Sequence, residues 1–139
     1  MKNEMTLSAT FPVPPERLFR DWLDSAAHSA ITGSPALIDP WVGGQFRTWD
    51  GYIYGKTLEM QPGKRILQSW RTTDFSQDAP DSLIEVLFES SADGTLLTIR
   101  HTRIPPGQAE EYANGWREFY FEPMQAGYSR KDCMETKAG

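Results

Sequence analysis

Cysteine is nearly absent from this chain. Its 139 residues hold one, Cys133, so no internal disulfide can form. Histidine occurs only twice, and no Cys/His spacing suits zinc. No metal or other cofactor is expected. Basic residues are few and scattered: 14 Lys and Arg against 19 Asp and Glu, a net charge of −5. Phosphate backbones need a concentrated basic face, so nucleic acid is excluded as a main partner. No apolar run approaches the ~20 residues of a membrane span. The N-terminal "MKNEMTLSATF" lacks the apolar core of a signal peptide, so a cytoplasmic protein is expected. There is no nucleophile elbow, phosphate loop, repeat or linker. The chain reads as one domain over residues 1–128, followed by a frayed tail over 129–139.

Aromatic residues, in contrast, reach 12%, with five tryptophans. A chain of this size buries about 68% of its unfolded surface, enough for a core without metal or disulfide. "EMTLSATF" alternates, with Met5, Leu7, Ala9 and Phe11 on one face, and predicts a strand. Pro14 and Pro15 suit the start of a helix carrying Leu18, Phe19 and Trp22. "SAAHSAITGS" is a second short helix or a loop, and His28 within it is expected in solvent. About seventy residues of strands and turns come next: "ALID", "QFRTWD", "YIYGKTLEM", "RILQSWRT", "LIEVLFES" and "TLLTIRHTR". Their short links favour antiparallel pairing. Tyr112, Trp116, Phe119, Tyr120, Met124 and Tyr128 then form an apolar stripe, predicting a long helix over 107–128, kinked at Pro123. A lone sheet with an aromatic face must be covered. The prediction is therefore an α+β fold, a curved antiparallel sheet around a long C-terminal helix.

The segment "WVGGQFRTWDGYIYG" raises a question, because it mixes large rings with four glycines. Gly43-Gly44 is expected to permit a bulge or tight bend, and Gly55 to remove a side chain where a neighbour crowds. The aromatics fill the concave face or line a cavity.

The same region carries a resemblance. Thr32, Ser34 and Ala36; Gly43, Gly44 and Phe46; Gly51 and Gly55; Pro62, Lys64 and Ile66; and Trp70 with Arg71 follow a recurrent order and spacing. Gly115, Trp116, Tyr120 and Phe121 continue it at the last helix. Over residues 5–128 this resembles the C-terminal domain of the activators of heat-shock protein 90 ATPase and their bacterial homologues. The resemblance implies the START-like, helix-grip fold, also called SRPBCC, and a chaperone-associated, stress-response role. Two features depart from it. The separate N-terminal docking domain of the eukaryotic activators has no room here, and "DFSQDAPDS" replaces the family's W-P-x-x-H segment.

Three functional readings remain. The first is a binding domain for a small hydrophobic or amphipathic ligand, or a chaperone-associated one, without an active site. Its pocket lies between helix and sheet and is lined by Phe46, Tyr54, Trp70, His101, Trp116 and Tyr120. Tyr52 is a further polar tip. The second is an enzyme of cyclase or hydrolase type using His101, which shares strand parity with Leu97 and Ile99 and so points inward. It needs a second titratable group, and Glu85 is the candidate. A hydrogen-bonded core histidine is the plainer reading of His101. The third is a module acting directly on the chaperone. Arg71 either binds an anionic ligand group at the pocket mouth or is an exposed strand-end charge.

Overall fold

Alternation builds the first strand. In a computed structural model, which describes residues 3–128, the odd residues of β1 (Met5–Phe11) turn inward and the even ones face solvent. Pro15 opens helix α1 (Pro15–Leu23), where a missing N–H costs nothing, and Leu18, Trp22 and Leu23 are buried. Asp24 then caps α2 (Ser25–Thr32) by accepting the Ala27 N–H at 2.8 Å.

Six further strands are β2 (Leu37–Ile38), β3 (Gln45–Thr48), β4 (Ile53–Gln61), β5 (Arg65–Thr72), β6 (Ser82–Ser91) and β7 (Gly94–Thr102). With β1 they form one antiparallel sheet in the order β1-β7-β6-β5-β4-β3-β2. The sheet curves over the C-terminal helix in an α+β, helix-grip architecture. Gly43, at φ +88°, closes a tight turn in which the Gly44 N–H bonds the Trp41 carbonyl at 2.9 Å. The register shift that bends the sheet falls instead in β4, between Thr57 and Glu59. At Gly55 a Cβ would sit 2.0 Å from the Ser69 carbonyl oxygen and 2.9 Å from the Phe46 ring. Close approach, not turn geometry, requires glycine there.

The C-terminal helix begins at Ala109, two residues later than its pattern predicts. After α3 (Ala109–Trp116) the backbone widens into a π-helical turn, Arg117–Phe121, and helical turns continue over 122–128. Pro123 explains the widening. It has no N–H for the Phe119 carbonyl, and its ring crowds that carbonyl. In the wider turn the Glu122 N–H bonds the Arg117 carbonyl instead. The extra residue rotates the helix face beyond it. Phe119, expected in the buried stripe, is 52% exposed, and Phe121 is buried. Tyr112, Trp116, Tyr120, Met124 and Tyr128 hold the inner face, and the Tyr128 hydroxyl donates to Asp21 of α1 at 2.8 Å. The expected tail, with Cys133, lies outside the described residues.

Candidate functional site

The turn from β3 to β4 sets one wall of a cavity. Thr48–Gly51 is a tight turn in which Trp49 and Asp50 both adopt left-handed backbone, φ 55° and 56°. That conformation costs a non-glycine residue about 1–2 kcal/mol. It lays the Trp49 ring against Phe119 at 5.5 Å and Tyr120 at 6.2 Å, centroid to centroid. Tyr52, Ile53 and Trp70 form the sheet side, and Glu111, Tyr112, Gly115, Trp116, Phe119 and Tyr120 the helix side. The cavity volume is about 350 Å³. Phe119 and Glu111 are exposed at the rim, while Trp70, Tyr112, Trp116 and Tyr120 are buried at the base.

Hydrogen bonds hold the phenols of the lining. Tyr112 donates to Gln108 Oε1 at 2.6 Å and accepts from Thr72 Oγ1 at 2.9 Å. Burial raises its pKa, and the Glu111 and Asp74 carboxylates add to the rise. Tyr52 donates to Asp74. Its pKa is raised by partial burial first and by that bond second.

Of the six residues read from the sequence as pocket-lining, Trp70, Trp116 and Tyr120 meet at this cavity. Phe46 belongs instead to a second space of only about 10 Å³ behind Tyr120. Tyr54 points the other way. It alternates with the inward Ile53 and pairs with Arg71 on the outer face.

His101 lies behind the wall, fully buried. Trp116 Nε1 can only donate, so His101 Nδ1 accepts it, at 3.1 Å. His101 Nε2 then carries the proton and donates to Ser82 Oγ at 2.9 Å, and that hydroxyl donates to the Trp70 carbonyl. Every partner is neutral, and desolvation pushes the imidazole pKa down to about 3. Glu85 does not join it. It lies on the outer face between Arg65 and Arg100. Arg71 is neither an anion site nor a free strand-end charge. It pairs with Asp81 at 2.7 Å and donates to the Ala79 and Ser76 carbonyls, pinning the loop between β5 and β6.

His28 corrects the sequence reading most sharply. Expected in solvent, it is 3% exposed. Its Nδ1–H donates to the Trp22 carbonyl at 2.9 Å, and its Nε2 accepts from the Tyr120 hydroxyl at 2.8 Å. Desolvation lowers its pKa, and burial pushes the Tyr120 phenol up to about 12. The helix "SAAHSAIT" has little hydrophobic periodicity, so nothing local announces this burial. Trp49 and Glu111 also line the cavity without having been expected there. The signal for Trp49 is a bulky residue directly before an Asp-Gly turn.

Comparison with known proteins adds a family. Residues 12–126 match the sequence profile of "Activator of Hsp90 ATPase homolog 1-like protein". The human "Activator of 90 kDa heat shock protein ATPase homolog 1" is 29% identical over 122 residues, covering 88% of this chain and 36% of that protein. The chain thus spans about a third of the length of the curated relatives it matches. The crystal structure of an HSP90 activator from Plasmodium falciparum superposes with a TM-score of 0.81 at 27% identity, covering 88% of this chain and 94% of that one. CalU16 from Micromonospora echinospora shares the fold alone, with a TM-score of 0.74 at 21% identity over 88% of this chain and 71% of its own.

Proposed function

Because this chain belongs to the Activator of Hsp90 ATPase homolog 1-like family, we propose that it is a helix-grip domain that binds a small hydrophobic or amphipathic molecule between its sheet and its last helix. One observation carries the reading. Seven aromatic rings and Ile53 surround about 350 Å³ of space that reaches solvent at the rim. Protein interiors are close-packed, and open space among large rings forfeits contacts that an occupant restores. The volume falls in the range of small-molecule sites. The cyclase or hydrolase reading lacks its groups, since His101 touches Ser82 and Trp116 and has no carboxylate beside it among the described residues.

A ligand present at a hundred times its dissociation constant stabilises the folded state by about 2.7 kcal/mol. Native mass spectrometry of the purified protein is expected to show a co-purifying molecule. Thermal-shift screening of hydrophobic metabolites is expected to raise the melting temperature. No bound mass and no shift would count against ligand binding.

Association with a chaperone is the second reading. It rests on the family and on Leu37, Trp41 and Val42, large apolar residues exposed near the sheet edge. These 139 residues alone are expected to stimulate heat-shock protein 90 ATPase weakly or not at all, because they cover about a third of the named activators. Strong stimulation at micromolar protein in a coupled ATPase assay would overturn that expectation.

A further inference from the structure

The cavity lining has a sign. Three indoles, Trp49, Trp70 and Trp116, and the rings of Tyr112 and Tyr120 are gathered around one space. The face of each ring is the negative end of its quadrupole. Among the described residues, Glu111 is the only charged member of the lining, and neither Lys nor Arg belongs to it. A second carboxylate stands close by, as Asp74 accepts the hydroxyl of the lining residue Tyr52. Both carboxylates act on the Tyr112 phenol, so their field reaches the cavity.

We propose that this cavity selects an organic cation, a quaternary ammonium or similarly weakly hydrated head carried on an apolar body. The proposal rests on the preceding reading that the cavity holds a ligand, and it names that ligand's class. A cation over indole faces is attracted by the ring quadrupoles, most strongly where water is excluded. Methylated nitrogen spreads its charge and sheds water readily, while its carbon surface meets the rings. A primary ammonium holds its water more tightly. An anion would meet the Glu111 carboxylate with neither Lys nor Arg in the lining to offset it.

Trp49 supports the assignment. A bulky residue held in left-handed backbone marks a position that the surrounding structure over-determines, and such positions concentrate at ligand clamps. Here the strained residue sets an indole at the rim, edge to face with Phe119.

The test compares benzyltrimethylammonium with neopentylbenzene, its uncharged carbon isostere, and with phenylacetate. Binding is followed by tryptophan fluorescence and calorimetry on the wild-type chain and on Glu111→Gln and Trp49→Leu. The cation is expected to bind about tenfold more tightly than the isostere. Glu111→Gln should weaken the cation severalfold and leave the isostere unchanged, and Trp49→Leu should weaken the cation more than the isostere. Equal binding of cation and isostere, or preference for phenylacetate, overturns the charge selection and leaves the hydrophobic pocket standing. Binding of none of the three overturns the charge selection. The metabolite screen decides the broader reading independently. Glu111 is exposed, so its replacement does not threaten folding.

Discussion

Replacing Trp116 with alanine is expected to destabilise the protein by about 3–5 kcal/mol, the usual range for deleting a buried aromatic. Trp116 is the hub of the ring cluster. Its centroid lies 4.8 Å from Tyr120, 5.8 Å from Trp70 and 6.2 Å from Trp22. Its indole N–H also satisfies the buried acceptor His101 Nδ1. Alanine would remove the packing, enlarge the cavity beside it and leave that acceptor without its donor. Proteins of this size are stable by about 5–15 kcal/mol, so Trp116→Ala is expected to fold marginally. Trp116→Phe separates the two contributions. It keeps most of the ring contact and loses the N–H, at an expected cost of about 1–3 kcal/mol for the orphaned nitrogen. Denaturant titration measures both. A Trp116→Ala midpoint equal to that of the wild type would refute this packing.

How far these features could be read from sequence depended on the range of the interactions behind them. Strand parity is local. Met5, Leu7, Ala9 and Phe11 alternate with polar neighbours, and the inward face of β1 is the direct consequence. Gly55 was also legible, because a glycine inside a strand pattern implies crowding. The last helix was legible at Tyr112, Trp116, Tyr120, Met124 and Tyr128, which hold its inner face, and misread at Phe119. A straight 3.6-residue period places Phe119 on the stripe, and the period itself changes where Pro123 forces a wider turn. His28 was illegible for another reason. Its partner Tyr120 lies 92 residues away, and only the meeting of α2 with the last helix makes the burial tolerable. The pocket reading failed in the same manner at Tyr54. Strand parity relates Tyr54 to Ile53 but does not say which of the two faces the helix, and the structure gives that place to Ile53.

Acid is expected to destabilise this protein through its two buried histidines. Both imidazoles are neutral and buried in the folded chain. Among the described residues, neither has a carboxylate partner to stabilise a second proton. His101 is enclosed by Ser82, Trp70, Tyr112 and Trp116, and His28 by Trp22 and Tyr120. In the unfolded chain each has an ordinary pKa near 6.5. Linkage sets the sign: below pH 6.5 the unfolded state binds more protons than the native state, so stability falls with pH. For His101 the loss continues until pH reaches its folded value, about 3. Each pH unit inside that window costs about 1.4 kcal/mol, so His101 alone removes about 2 kcal/mol between pH 6.5 and pH 5. His28, also lowered by desolvation, adds a loss of the same sign. Urea titrations at pH 7 and pH 5 measure the difference. The decisive comparison is His101→Gln, which removes the titrating group whatever it does to stability at neutral pH. The variant should lose about 2 kcal/mol less than the wild type over this interval. A wild type equally stable at both pH values, or a variant retaining the full slope, would mean that His101 accepts a proton in the folded state and that the neutral chain from Trp116 through His101 to Ser82 is wrong.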